Sequence, residues 1–273
     1  MLSPVQLQQY LQRTGFNDSC TDSLGTLQLL HHLHPQTIPF ENLDSWRRVP
    51  VVVDTGHVFN KLVLENRGGY CYEHNWLFMQ VLRTLGFSVH GLAARVHWMQ
   101  AADFVPPRTH MALLVEIADK RYLCDVGFGG QTMTAPLLLD HSGPQSTPNE
   151  TLSLTYGDSG VFLVQTRMKQ QWQPMFSFTL EPQQLPDYQQ ANWFVSTHPE
   201  SRFVQNLVCA RVEGKQRHAL LNNRYTLHCP EKDSETMLLQ SPDEIRQILT
   251  RQFRINLDSM PDLDKKLIAL FRQ

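Results

Sequence analysis

The sequence predicts an α+β protein: a helical N-terminal region, a strand-rich middle and a mixed tail. Three observations carry that reading. Apolar residues recur at helical spacing up to about residue 86. From about residue 87 the period falls to two. After about residue 180, prolines interrupt a mixture of both patterns. Helices followed by strands along one chain are the mark of the α+β class.

The helices come first. Val5, Leu7, Tyr10 and Leu11 follow Ser3-Pro4, a cap and first-turn pair. Leu24, Leu27, Leu30 and Leu33 form a second stripe, which Pro35 is expected to stop. Val58, Leu62 and Leu64 suggest a third helix that ends before Arg67-Gly68-Gly69. Phe78, Val81, Leu82 and Leu85 repeat at i, i+3, i+4 and i+7, with Gly86 as terminator, so a fourth helix begins near Cys71. Alternation over 87–92 opens the strands. Segments 110–117 and 121–126, split by Ala118-Asp119-Lys120, read as a hairpin. Segments 151–156, 161–166 and 172–178 read as further strands. Pro182 and Pro186 then break the chain, 203–212 reads as a strand, and Ser241 caps a helix over 242–252. An amphipathic stretch over 263–271 closes the sequence.

Composition narrows the function. The 273 residues allow one large domain or two to three small ones. An apolar fraction of 41% excludes a disordered chain. Net charge is −2 and the pI about 6.6, so no basic field awaits nucleic acid. No apolar run approaches the roughly 18 residues of a membrane helix. The first residues lack the basic and apolar regions of a secretory signal, so a cytoplasmic location is expected. Five widely spaced cysteines without C-x-x-C fit free thiols and no structural zinc.

The segment Arg67-Gly68-Gly69-Tyr70-Cys71-Tyr72-Glu73 carries the sharpest chemical signal. Two glycines permit a tight turn and close approach. A cysteine at a helix start meets free N–H groups and the positive end of the helix dipole, which favour the nucleophilic thiolate. The competing expectation is a small buried cysteine beside a glycine-rich cap. A nucleophile also needs a base, and the base an orienting acceptor. His110 opens an apolar strand after Pro106-Pro107-Arg108-Thr109. Asp125 ends the next strand, and a hairpin centred between residues 117 and 118 makes the two neighbours. An aspartate in an apolar strand needs strong hydrogen bonds. Cys71, His110 and Asp125 therefore make a candidate Cys-His-Asp relay. Gly127-Phe128-Gly129-Gly130 is a glycine-rich turn able to present N–H groups to an anion, with Phe128 as a pocket wall. His31, His32 and His34 resemble a metal cluster, but helical geometry sends 31 and 32 in different directions, so no metal is expected. Glu41, in an apolar context, calls for a cation, and Arg67 is the expected partner, holding the turn before Cys71.

These segments resemble the arylamine N-acetyltransferases over most of the chain. Residues 33–44 are similar to the family's IPFEN element and Arg67–Glu73 to its RGGxCxE element, the most specific of these. Segments 107–110 and 125–130 are similar to those around its His and Asp, and 192–203 to a third-domain segment. The sequence resembles the enterobacterial type, which also acetylates N-hydroxyarylamines on oxygen, with no departure at the three catalytic positions. The resemblance implies a papain-like core of a helical bundle (1–86) and a β-barrel-like domain (87–190), with an α/β lid (191–273). It implies ping-pong transfer of an acetyl group from acetyl-coenzyme A through Cys71 to an arylamine, arylhydrazine or N-hydroxyarylamine. His110 would move the proton and Asp125 orient it. Gly129, Gly130, Thr197 and Phe203 would contact the coenzyme and Phe128 the acceptor. No metal, nucleic acid or membrane is implied, and the protein would be a monomer or homodimer. A cysteine hydrolase or transglutaminase-like enzyme with the same relay, or an inactive acyl-coenzyme A binding module, are the competing expectations.

Overall fold

The computed structural model describes residues 1–157, 159–230 and 232–272. Ser3 caps α1 (Pro4–Thr14), with Gln6 returning the bond to the Ser3 N–H. Helix α2 spans Leu24–Thr37 and runs through Pro35. The expected stop at Pro35 is therefore corrected. The proline lies in the last turn, where its missing N–H removes one ladder bond only and its ring is buried. A two-residue strand β1 (Phe40–Glu41) and a short helix α3 (Leu43–Arg47) follow. Helix α4 (Thr55–Phe59) passes into a π-helical turn, Asn60–Leu64. Helix α5 (Cys71–Thr84) is buried along most of its length.

The strand-rich middle is one antiparallel sheet of eight strands. These are β2 (Ser88–Val96), β3 (His110–Ile117), β4 (Lys120–Cys124), β5 (Leu137–Leu138), β6 (Pro144–Ser146), β7 (Thr151–Tyr156), β8 (Phe162–Met168) and β9 (Gln171–Gln183). Their spatial order is β5-β4-β3-β2-β9-β8-β7-β6. The sheet curls until its ends meet. Gln145 of β6 accepts from the Leu138 N–H of β5 at 2.8 Å and donates to its carbonyl at 2.9 Å, giving a nearly closed, barrel-like sheet. Strand β3 is buried on both faces, which is why it reads as an unbroken apolar run. Ala112 and Leu114 face the barrel interior with Leu92, Val164 and Phe176. Met111, Leu113 and Val115 pack towards the helices with Leu77, Phe78 and Val81.

The third region is organised around a five-stranded antiparallel sheet. Helix α6 (Leu185–Thr197) and the short α7 (Arg202–Gln205) lead into β10 (Val208–Glu213), β11 (Gln216–Leu221), β12 (Arg224–His228) and β13 (Glu235–Leu238). Strand β1 joins this sheet beside β10, so the N-terminal region supplies one of its strands. Helices α8 (Pro242–Arg251, capped by Ser241) and α9 (Leu263–Leu270) cover it, with Ile245, Leu249 and Leu267 in its core. Two expectations are corrected here. Pro186 starts a helix rather than breaking the chain, because proline is tolerated in a first turn. The stretch 203–212 divides into a helical turn and a strand. Among the described residues, no helix is long and apolar enough to cross a membrane.

Candidate active site

The turn before α5 is held by close backbone approach. Glu41 of β1 donates its N–H to the Gly69 carbonyl at 2.8 Å, and Gly69 returns its own N–H to Pro39 at 3.3 Å. A Cβ on Gly68 would lie 2.0 Å from the Pro39 carbonyl oxygen, and one on Gly69 2.7 Å from Glu73 Oε2. Both glycines are therefore fixed by space. Tyr70, in extended conformation, ends the turn, and its N–H donates to Glu73 Oε2 at 3.0 Å. Cys71 is then the first residue of α5, with its N–H ahead of the helical ladder. Its side chain is almost wholly enclosed, with 4% exposure, and the thiol faces the Thr109 carbonyl at 3.8 Å.

Buried charges brace this turn. Arg67 pairs with Glu41 at 2.8 Å, as expected, and also with Asp44 at 2.9 Å. Lys61 bridges Asp44 and Glu73, both at 2.7 Å. Burial opposes the charge on Asp44, but Lys61 and Arg67 outweigh it and hold the carboxyl down at about 2. A cleft of about 770 Å³ lies against Asp44, Lys61, Arg67 and Glu73.

His110 Nε2 lies 2.7 Å from Asp125 Oδ2. The expected register needs a correction of two residues. Ile117 pairs with Lys120 across a two-residue turn at Ala118-Asp119, and both turn residues have positive φ. Asp125 sits just beyond β4. A shift of two keeps every side chain on its face, so the His–Asp contact survives. Burial pushes the imidazole down, but the Asp125 charge and hydrogen bond outweigh it and lift it to about 10. Asp125 thus occupies Nε2 and leaves Nδ1 as the second ring nitrogen. Burial raises the Asp125 carboxyl, yet His110, Asn75 and the Gly127 N–H together bring it below its ordinary value. Asn75 and Gly127 both donate to Asp125 Oδ1 at 2.9 Å. A Cβ on Gly127 would meet the Cys71 Cα at 2.9 Å, so this glycine lets the Asp125 loop lie directly on the start of α5.

The other expected site residues surround this centre unevenly. Phe128 is half-buried, its ring edge-on to His110 at 5.2 Å and against Phe176 at 5.4 Å. The Gly129 N–H is taken by the Thr132 hydroxyl, while Gly130 is exposed and its carbonyl accepts from Arg217. The Thr197 hydroxyl donates to Trp193 within its own helix. Phe203 packs on Phe40 and Tyr70, beside the turn before α5. The Tyr70 hydroxyl donates to Asn192 of α6, which ties the third region to the same turn. A cavity of about 400 Å³ opens against Thr109 and His110, walled by Tyr72, Ala93, Tyr188 and Phe194.

Sequence reasoning missed four contributors. Asn75 holds both Asp125 and the Met111 carbonyl, and its i, i+4 relation to Cys71 on one helix face was the available signal. His31 accepts the Asp125 N–H at 3.1 Å. His34 and His74 join ring to ring at 2.8 Å. Among the described residues, no group of three or more His, Cys, Asp or Glu side chains could hold a metal ion.

A family model described as N-acetyltransferase matches residues 23–262. The arylamine N-acetyltransferase of Mycolicibacterium smegmatis is 40% identical over 95% of this chain and 95% of its own. The chain belongs to the arylamine N-acetyltransferase family. The arylamine N-acetyltransferase / N-hydroxyarylamine O-acetyltransferase of Salmonella typhimurium is 33% identical over 93% of this chain and 90% of its own. The solved structure of Mycobacterium marinum arylamine N-acetyltransferase in complex with CoA superposes with a TM-score of 0.92. It is 35% identical and covers 97% of this chain and 98% of its own. Membership of this family makes the protein an acetyltransferase with acetyl-coenzyme A as co-substrate.

Proposed function

We propose that the protein moves an acetyl group from acetyl-coenzyme A, through a thioester on Cys71, to the nitrogen of arylamines and arylhydrazines and the oxygen of N-hydroxyarylamines. One observation carries the reading: His110, buried and held by Asp125 at 2.7 Å, directly follows Thr109, whose carbonyl faces the thiol of Cys71 at the start of α5 at 3.8 Å. The Salmonella relative's name supports the oxygen acceptor. In the first half-reaction the Cys71 sulfur attacks the acetyl carbonyl, and the departing coenzyme sulfur takes the proton of His110. In the second, a neutral amine attacks the Cys71 thioester. Its proton passes to His110, and the amide leaves as the Cys71 thiolate re-forms. The Cys71 N–H, ahead of the helical ladder, is the proposed donor to the developing oxyanion, a donation worth roughly 3 kcal/mol where such donors have been removed. Asp125 keeps the imidazole turned with one nitrogen to the sulfur.

The exposed Gly130 turn and the 197–203 segment are the proposed coenzyme contacts, with Gly129, Thr197 and Phe203 among them. Phe128, edge-on to His110, is the proposed acceptor wall. A cysteine at a helix start, facing a His and an Asp from a following antiparallel sheet, supports a papain-like reading of 1–86 and 87–190, with 191–273 as a lid.

Mass spectrometry of the intact protein after mixing with acetyl-coenzyme A tests the mechanism. We expect a single acetyl group on Cys71, discharged when an arylamine is added. Cys71→Ala gains no acetyl group and turns nothing over. Full turnover by that variant sinks the covalent reading.

A further inference from the structure

Behind the relay lies a second polar system that the acetyl transfer does not use. His31, His34 and His74 are all buried, and all lie within about 6 Å of a neighbouring ring across the α2–α5 interface. The bonds among them have a fixed direction. The Pro39 carbonyl is an acceptor only, so His74 Nε2, at 3.1 Å, carries the proton and donates to it. His74 Nδ1 must then accept, at 2.8 Å, from His34 Nε2. His34 Nδ1 in turn accepts from the Tyr10 hydroxyl at 2.8 Å. Every member is satisfied while neutral. Burial pushes His74 down to about 4 and His34 well below its ordinary value. The Pro39 carbonyl that ends this chain also receives the Gly69 N–H, two residues before Cys71.

His31 makes a different contact. Its Nε2 accepts the Asp125 N–H, so its proton sits on Nδ1, and that nitrogen has no partner among the described residues. A buried donor left unpaired is unfavourable, and native structures seldom keep one. What His31 supplies in return is the acceptor for a backbone N–H that lies past the end of the β3–β4 ladder.

We propose that His31 and His74 are positioning residues of the relay: His31 fixes the backbone of Asp125, and His74, locked by His34, fixes the turn that delivers Cys71. The idea rests on the Cys71–His110–Asp125 relay proposed above. Each arm ends on backbone rather than on a reacting atom, so each acts through distance. Misplacement of a reacting group by about 1 Å costs up to roughly a hundredfold in rate.

The test compares His31→Leu with His31→Gln, whose amide oxygen restores an acceptor. Three readouts are taken: the burst rate of Cys71 acetylation by p-nitrophenyl acetate, the pH profile of Cys71 alkylation by iodoacetamide read on its own peptide, and the melting temperature. We expect His31→Leu to slow acetylation by roughly tenfold to a hundredfold and to distort the alkylation profile. The substrate KM should hold, and His31→Gln should recover most of the rate. A lower melting temperature with wild-type burst rate and alkylation profile overturns the proposal and makes His31 a packing residue. Should neither variant fold, ¹⁵N spectra of the wild-type imidazoles decide. The proposal requires protons on Nδ1 of His31 and on Nε2 of His34 and His74 between pH 6 and 8. Any other tautomer, or an imidazolium, overturns it. Cys71→Ala separates the two ideas: an active Cys71→Ala removes the relay itself, whereas an inactive one beside a normal His31→Leu removes only the positioning role.

Discussion

On one flank of the α5 start, Glu41, Asp44 and Glu73 face Lys61 and Arg67 in a web of ion pairs. On the other, Tyr10, His34 and His74 pass hydrogen bonds along without a charge. Both networks end on the same turn, through Glu73 on the Tyr70 N–H and through His74 on the Pro39 carbonyl. They differ in their access to water. The ionic web borders a cleft of about 770 Å³, whereas the histidines are wholly enclosed. Desolvating a charge is costly, and a nearby water-filled cleft softens that cost. Where no such cleft exists, a directional chain of neutral groups satisfies the same backbone without carrying a buried charge. The lesson is that one turn can be fixed by charge where water is near and by tautomer where it is not.

Asp125 is where the neutral design meets the charged one. Its N–H binds His31, which burial holds below its ordinary value, and its carboxylate binds His110, which that carboxylate lifts above its own. Asp125→Asn keeps the shape and removes the charge. It is expected to give the largest effect, a fall in turnover of roughly ten-thousandfold, as for other relays deprived of this carboxylate. Steady-state acetylation of an arylamine measures it, and a fall under tenfold would demote Asp125 to a structural role.

Next in size is the loss of one charge from the web. Arg67→Met leaves Glu41 and Asp44 facing Lys61 alone in a buried setting. Stranding a buried charge typically costs about 3–5 kcal/mol. Urea denaturation at neutral pH is the measurement. A loss below about 1 kcal/mol would mean that the cleft already solvates the web, and the contrast between the flanks would vanish.

The two networks should also separate on an acid titration. His31 and His74 are held by burial to about 4 in the fold, against 6.5 when unfolded. Between those values the unfolded chain binds more protons, so their contribution is present above about pH 6.5 and lost as pH falls towards 4. Asp44, at about 2 against 3.8, contributes above pH 3.8 and loses that contribution only as pH falls towards 2. His110 behaves oppositely. Raised to about 10, it stabilises fully below 6.5, and its contribution fades as pH climbs to 10. Stability measured by urea from pH 2 to 10 should therefore crest near 6.5, with the Asp44 contribution lost only below 3.8. A flat profile from 6.5 down to 4 would show that the histidines are not held neutral.

Much of this was legible in the sequence, for identifiable reasons. The α1 and α8 caps, the start of α5 and the β3–β4 hairpin follow from local rules, and each stands close to its expected place. The Glu41–Arg67 pair was legible because an isolated acid in apolar surroundings needs a cation. The β3–β4 register slipped because a turn at Ala118-Asp119 takes positive φ at two residues without glycine or asparagine, so no residue marks it. Strands β11 to β13 were missed because their sequences carry little apolar alternation: β13 is exposed throughout, β12 has no buried residue, and one of the two residues β11 buries is a histidine. The histidine chain was illegible for a deeper reason. His34 and His74 are forty residues apart, and only the packing of α2 on α5 turns two unremarkable histidines into one directional bond.

The smallest effect isolates that direction. Tyr10→Phe removes one hydroxyl at the far end of the neutral chain and leaves His34 Nδ1 without a donor. His34 cannot answer by moving its proton to Nδ1, because Nε2 would then face the lone pair of His74 Nδ1, whose own proton is pinned by the Pro39 carbonyl. The expected cost is that of one unsatisfied buried acceptor, about 1–3 kcal/mol in urea denaturation. Turnover at 25 °C should stay near wild type, since two rings separate the change from the turn. A loss as large as that of Arg67→Met would mean that the neutral chain collapses as a unit. No loss at all would mean that His34 is free to change tautomer, and the fixed polarity of the chain would fall with it.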